Sequence, residues 1–398
     1  MDFTAAMAGL ALAMQTGPSL ASQQMSLTPD GDEGCSLDEH TYCQLTGRIS
    51  ADSARSHLGS HDQAYWITDG LVHVVARRDP EIEQVRMCCV LQTDMERLSD
   101  DGLWGTTYAL RRLDEAILAF WPLPAAADNS FPDRPVYRGP DARPAPPRVS
   151  DFSDTAEAHF LPSSVYGRDR RVSLYVPPGE PPEEGWPTIF VADGGRVHSL
   201  SPVAEALANQ CRAQPVVMIG LWPGEENGAP ATDEVSGPAS DARSREYLWG
   251  SHPASFELHQ RWLVEDLIPL AQQHGGASHR DARMTFGASS GAAWALSTGL
   301  LQAELIGHVA GASLGWPSAL DAGAPAAPID VFIGAGLYEP GFNEDSRTVI
   351  EALQAEQISA RYMELVTGHA PIGFELVFAD ALEATFPAKE GCVPAPVE

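Results

Sequence analysis

The sequence predicts an α/β protein: a mostly parallel sheet with helices on both faces, preceded by a smaller all-β, sandwich-like unit. Three observations carry that expectation. First, Phe286-Gly287-Ala288-Ser289-Ser290-Gly291-Ala292 follows an apolar run and precedes the helix-compatible Ala292–Leu296, the strand-turn-helix setting of a Gly-x-Ser-x-Gly turn. Second, the chain beyond it alternates. Asp330–Gly336 is a β-branched and aromatic run stopped by glycines, a helical pattern with Val349, Ile350 and Leu353 comes next, and Ala360–Val366 reads as another strand. Third, the proline-rich stretch from Pro132 to Pro147 cannot form helix and reads as an extended linker. Before it lie short candidate strands at regular spacing (Ala64–Thr68, Leu71–Ala76, Gln84–Leu91, Trp104–Leu110, Ala116–Trp121), separated by Asp, Gly and Ser turns as in an antiparallel sandwich. The expected organisation is a candidate signal or disordered segment over 1–25, an all-β unit over 26–131, a linker over 132–148, an α/β catalytic unit over 149–390 and a tail over 391–398.

In a Gly-x-Ser-x-Gly turn the serine occupies a strained backbone conformation and projects its hydroxyl from the sheet edge. The hydroxyl needs a base, and the base needs a carboxylate to orient it. In this arrangement the chain order is serine, acid, histidine. Ser289 is the candidate nucleophile. Glu339 follows the Asp330–Gly336 strand, with Asp330, Glu344 and Asp345 as competing carboxylates, and His369 follows the last strand in Thr367-Gly368-His369. Each candidate stands just past the carboxyl end of a predicted strand, the edge where open α/β sheets build their sites. Singly, each has a plainer reading: a small residue at a tight contact, a helix cap, a surface histidine. Their conjunction in this order favours catalysis.

From about Arg170 onward the chain resembles the putative-esterase family of α/β hydrolases, and within it the enterochelin-esterase type. The residues that carry the resemblance are Arg170-Arg-Val-Ser-Leu-Tyr-Val-Pro-Pro-Gly, Ile189-Phe-Val-Ala-Asp193-Gly194-Gly195, Arg243-Ser-Arg245-Glu246-Tyr247, Leu263-Val-Glu-Asp-Leu-Ile-Pro, Ser313-Leu-Gly-Trp316, Glu339-Pro340 and Gly368-His369. The resemblance implies an α/β-hydrolase sheet and an acyl-enzyme. Ser289 attacks an ester carbonyl, His369 takes its proton, and Glu339 holds the imidazole in the required tautomer. It further implies an oxyanion site between the N–H of Ser290 and one from the loop at Gly194 or Gly195. Trp316 is expected beside the substrate, and Arg196 and Arg245 are expected to meet an anionic one; surface ion pairs are the plainer reading of both arginines. No cofactor and no metal is implied. The candidate substrates are a siderophore trilactone, a feruloyl or acetyl ester on carbohydrate, and a small acyl ester; the alternative from another class is a non-catalytic ligand-binding protein on a hydrolase scaffold. A preceding all-β domain also fits the enterochelin-esterase type. One departure stands out: Ala370-Pro-Ile-Gly-Phe374 follows the histidine, where the family commonly has an aspartate and then a tryptophan.

Composition bounds the setting. The chain has 398 residues, 54 acidic against 25 basic, and a net charge of −29. That balance argues against a nucleic-acid partner, because no basic surface offsets phosphate repulsion, and it sets an unfavourable field for a ferric catecholate. The expected partner is a small-molecule ester. No stretch approaches membrane-spanning length. Phe3–Met14 is apolar and Ser19-Leu20-Ala21 resembles the end of a signal-peptidase site, although the segment opens Met-Asp without a positive region. The expectation is a periplasmic or secreted protein, with the cytoplasm as alternative. Of the six cysteines, Cys35 and Cys43 are spaced to close a small loop in an oxidising compartment, and the adjacent Cys88 and Cys89 lack zinc-ligand spacing.

Overall fold

A computed structural model describes residues 35–87, 91–124, 136–150, 158–224 and 241–395. Its centre is an eight-stranded sheet in the order Ala158–Ser163, Arg168–Tyr175, Val217–Leu221, Thr188–Ala192, Arg283–Ala288, His308–Ala312, Asp330–Gly336 and Ser359–Leu365. The first two strands run antiparallel to their neighbours, and the remaining pairs are parallel. Parallel strands buried on both faces need apolar residues at every position, and Thr188–Ala192 and Val217–Leu221 are buried throughout. Alternate residues feed opposite cores. Phe190 and Ala192 pack with Trp262, Trp294 and Val349 on one face; Ile189 and Val191 pack with Val203, Phe378 and Leu382 on the other. Helix Ser290–Leu301 lies between sheet and neighbours with ten of its twelve residues buried, which its small residues Gly291, Ala292, Ala293 and Ala295 permit.

The N-terminal part holds a five-stranded antiparallel sheet, in which Tyr42–Leu45, Leu103–Leu110, Leu71–Arg77 and Gln63–Thr68 lie in order and Glu96–Ser99 also pairs with Leu103–Leu110. A three-stranded sheet joins Thr93–Asp94, Val85–Met87 and Pro122–Pro124. One face of the larger sheet buries Val72, Val74 and Tyr108 with Met87 and Phe120. The other face is covered by a helix, Ala51–Leu58, whose Ala54 and Leu58 pack on Val75 and Leu103. This part is therefore not made of strands alone. The helix starts where the Ser50 hydroxyl accepts from the Ser53 N–H, and it buries residues four apart, a pattern too short to compete with the strand signals around it.

The stretch read as a linker is also partly structured, since Val136–Arg138 pairs antiparallel with Ile117–Ala119. Proline confines φ but does not bar a residue run from an edge strand. Segment 1–25, Cys88, Cys89 and residues 132–135 lie outside the described residues. Disulfides join Cys35 to Cys43, as the spacing suggested, and Cys211 to Cys392, which ties the end of helix Arg196–Asn209 to the C-terminal tail across 181 residues. Among the described residues no helix is long and apolar enough to cross a membrane.

Candidate active site

Four neighbouring parallel strands end along one edge, and a candidate residue follows three of them: Ser289 after Arg283–Ala288, Glu339 after Asp330–Gly336, His369 after Ser359–Leu365. The backbone at this edge is strained. Asp193, Ser289 and Ser313, each directly after a parallel strand, have φ of 57°, 57° and 54°. Side chains rarely adopt that region, and it costs roughly 1–3 kcal/mol per residue. Ser289 is half-buried, with ψ of −126° at the N-terminus of helix Ser290–Leu301, and its N–H donates to the Ala312 carbonyl at 2.9 Å. The turn is tight enough that a Cβ on Gly287 would run into the Gly291 carbonyl, so the first glycine of the motif is a steric requirement.

Glu339 is 5% exposed, yet every oxygen has a partner. Oε1 accepts from the Ser313 hydroxyl at 2.6 Å and from the Gly336 N–H at 2.5 Å, while Oε2 lies 2.6 Å from Nδ1 of His369. Pro340 explains why Glu339 stays out of the helix that follows, and Pro371 does the same for Ala370, the residue after His369. A proline at the first helical position disfavours helical backbone in the residue before it, leaving Glu339 and Ala370 as the flanking residues of Pro340–Ala355 and Pro371–Thr385. The first turns of those helices supply the walls of the imidazole. Phe342 stacks on His369 at 4.4 Å between ring centroids, and Phe374 meets it edge-on at 5.1 Å. These aromatic contacts stand where the family pattern after the histidine is missing.

The other side of the edge is organised by Asp193. Its carboxylate accepts from Arg243 at 2.6 and 2.8 Å and from Arg196 at 3.4 Å; its N–H donates to the Tyr247 hydroxyl at 2.9 Å. Burial pushes this carboxyl up, and the two guanidinium groups outweigh burial and hold it below the usual carboxylate range. Arg243 also reaches the Ala288 carbonyl at 3.3 Å, so it links the Asp193 loop to the residue before Ser289. Gly194 and Gly195 lie under the Trp222 indole, which a Cβ at either position would meet. The structure separates the two as donors. Gly194 is buried and its N–H is committed to the Leu221 carbonyl at 2.9 Å, whereas Gly195 is exposed and opens helix Arg196–Asn209.

The remaining candidates divide. Trp316 is half-buried at the same edge and donates its indole N–H to the Trp249 carbonyl at 3.2 Å. Arg196 lies over the Phe374 ring at 5.0 Å, which places it beside the histidine loop. Arg245 is half-buried on helix Ala242–Tyr247, but the residues of that helix that engage the Asp193 loop are Arg243 and Tyr247. Among the rival carboxylates, Asp330 sits at the opposite end of its strand beside His308, at 3.5 Å. Glu344 is exposed, and Asp345 is pushed up to about 6 by burial and by Glu344. Sequence reasoning missed Ser313, Phe342, Phe374, Arg243 and Tyr247 as site residues; the motif Ser313-Leu-Gly-Trp316 and the i, i+4 spacing of Arg243 and Tyr247 were the available signals.

Comparison with known families gives one match, to the family described as "Putative esterase", over residues 163–366. The chain belongs to the putative-esterase family. It is a carboxylic ester hydrolase. No curated protein matches it. Among solved structures it is similar to enterochelin esterase from Shigella flexneri, at 16% identity over 82% of this chain and 96% of that one, with a TM-score of 0.59. It is also similar to ferric enterobactin esterase from Salmonella typhimurium, at 16% identity over 81% and 96% of the two chains, with a TM-score of 0.55. Likeness at that identity speaks for the fold: an α/β hydrolase.

Proposed function

We propose that the chain is a serine esterase that works through an acyl-enzyme, with Ser289 as nucleophile, His369 as base and Glu339 as the orienting acid. The observation that carries this reading is the 2.6 Å contact between Glu339 and Nδ1 of His369, beside a serine at φ 57° on the same sheet edge. With Nδ1–H donating to Glu339, Nε2 is the nitrogen left to take the Ser289 proton as Oγ bonds to the ester carbon. The same proton then goes to the departing alcohol, and water attacking the acyl-enzyme repeats the sequence. The proposed oxyanion donors are the N–H groups of Ser290 and Gly195. Each opens a helix of twelve or fourteen residues, so both helix dipoles favour negative charge there. The site uses no cofactor or metal in this reading.

Within that class we propose a bulky ester of the enterochelin-esterase type, cleaved in a periplasmic or extracellular compartment. The likeness to the two enterochelin-cleaving structures extends over most of the chain, N-terminal part included, and disulfides at Cys35–Cys43 and Cys211–Cys392 suit an oxidising setting. The N-terminal β-rich part would then help to shape or cover the site. One observation favours a second reading, a neutral feruloyl or acetyl ester: Arg196 and Arg243 both spend charge on Asp193 in a chain of net charge −29. The deciding experiment is hydrolysis of a p-nitrophenyl ester by wild type and Ser289→Ala at matched folding, followed by siderophore trilactone, feruloyl and acetyl-sugar esters. Loss of turnover and of fluorophosphonate labelling in the variant alone supports the reading. A folded wild type that neither turns over any ester nor takes the label would make the chain a ligand-binding protein on a hydrolase scaffold.

A further inference from the structure

The acid loop and the histidine loop are anchored outside the α/β unit that contains them. Leu337 and Tyr338, which precede Glu339, and Ala370, which follows His369, are buried in the core of the N-terminal part with Tyr108, Leu118 and Phe120. Tyr338 is 1% exposed, and its hydroxyl donates to the Arg111 carbonyl at 2.7 Å, in the turn that ends strand Leu103–Leu110. Burial pushes the Tyr338 phenol up, so the hydroxyl stays a donor throughout the working pH range. The Tyr338 N–H donates to Thr367 at 3.0 Å, and the Ile117 N–H donates to Val366 at 2.9 Å, so strand Ile117–Ala119 extends the ladder to the stretch leading into His369. The neighbouring Arg112 pairs with Glu364 at 3.3 Å.

These contacts form a closed circuit: Arg111 to Tyr338, Tyr338 to Thr367, Val366 to Ile117, and along the chain back to Arg111. Glu339 and His369 each lie within two residues of it. The physical consequence follows from the geometry of the pair. A displacement of about 1 Å between a base and its orienting acid costs on the order of a hundredfold in rate, and the backbone ladder that joins strands Asp330–Gly336 and Ser359–Leu365 reaches the two loops through the bond from Tyr338 to Thr367, just short of the pair. We propose that Tyr338 is a positioning residue through which the N-terminal part sets the separation of Glu339 and His369. This rests on the triad reading and goes beyond it: the N-terminal part acts on the proton-transfer step itself, besides any contact with substrate.

Tyr338→Phe tests it, because the ring and its packing remain and only the hydroxyl is lost. The expected result is a kcat lower by roughly tenfold, the equivalent of one hydrogen bond, with KM unchanged. The far-downfield proton resonance of the Nδ1–H shared by His369 and Glu339 is expected to weaken in the same sample, a signal that simple loss of stability would not move below the unfolding transition. Replacing Tyr338 by p-aminophenylalanine returns a donor at that position and should restore both readings. Wild-type kcat with an unchanged resonance in Tyr338→Phe overturns the proposal, as does a loss of kcat that the amine fails to rescue. Ser289→Ala and His369→Ala are run alongside. Turnover that survives in either overturns the triad and this proposal together, whereas turnover lost in both and intact in Tyr338→Phe overturns this proposal alone.

Discussion

Two buried glutamates among the described residues each face a histidine, and they are held in different ways. Glu339 lies 2.6 Å from His369, and its second oxygen is held only by neutral donors, the Ser313 hydroxyl and the Gly336 N–H. Glu246 lies 4.0 Å from His259, but its charge is spent on Arg170, which donates to both carboxylate oxygens at 2.9 Å while stacked between Tyr166 and Trp262. His259 is fully buried and accepts from the Trp294 indole at 3.1 Å; burial pushes its pKa down to about 4. The comparison teaches that a glutamate beside a histidine is not by itself a catalytic pair: distance, burial and the glutamate's other partners separate the two. His259 is kept neutral chiefly by burial, which outweighs the pull of Glu246, and Arg170 adds to the effect.

Breaking each pair should therefore give opposite outcomes. On the proposed triad, Glu339→Gln lowers kcat by about 10³–10⁴ and leaves the melting temperature within a few degrees of wild type. Unchanged turnover would remove Glu339 as the acid. Glu246→Gln should do the reverse, because it leaves the Arg170 charge buried without its partner. We expect a loss of about 3–5 kcal/mol in urea unfolding with kcat of the folded protein changed less than tenfold. The His259 ring supplies a pH test with a defined sign. Its folded pKa lies below the unfolded value near 6.5, so the unfolded state takes the proton first on acidification. Stability should fall by about 3 kcal/mol between pH 6.5 and 4, a fall that His259→Gln is expected to flatten in unfolding curves taken across that range.

Two smaller effects sharpen the contrast. Ser313→Ala removes one of the two neutral donors on Glu339 and should lower kcat by roughly tenfold at unchanged KM; a change in KM alone would assign Ser313 to substrate. Asp345→Asn addresses the rival acid. Because burial and Glu344 raise its folded pKa from 3.8 to about 6, the protein loses stability as pH rises between those values and stays destabilised above them. The substitution should add on the order of 1 kcal/mol at pH 8 after solvent screening, and progressively less as pH falls from about 6 to below about 3.8, with kcat unaffected.

Much of the edge could be read from local signals. The glycines around Ser289, the apolar runs before Ser289, Glu339 and His369, and the prolines at 340 and 371 act within a few residues of themselves, and the elements they imply are found at those positions. The family resemblance, built from the same short motifs, led to the family to which the chain belongs. The misses have two causes, contacts between distant residues and a local signal too short to read. That Arg243 reaches the Asp193 loop depends on where helix Ala242–Tyr247 packs, and the same helix carries Glu246, which pairs with Arg170 across 76 residues. The choice between Gly194 and Gly195 turns on a hydrogen bond to Leu221, on another strand. Helix Ala51–Leu58 was overlooked because eight residues carry too little periodicity to stand apart from flanking strands.

By itself, the sequence determined the strands and helices around the sheet edge, the strained turn at Ser289 and the placement of three chemical groups after strand ends, because each depends on backbone preferences of adjacent residues. Tertiary structure alone decided which carboxylate meets His369, which arginine braces the elbow, and that the N-terminal part grips the loops carrying Glu339 and His369. Those outcomes depend on which distant groups burial brings within hydrogen-bond range. A buried charge is stable only beside its partner, and the partner is chosen by how distant segments pack.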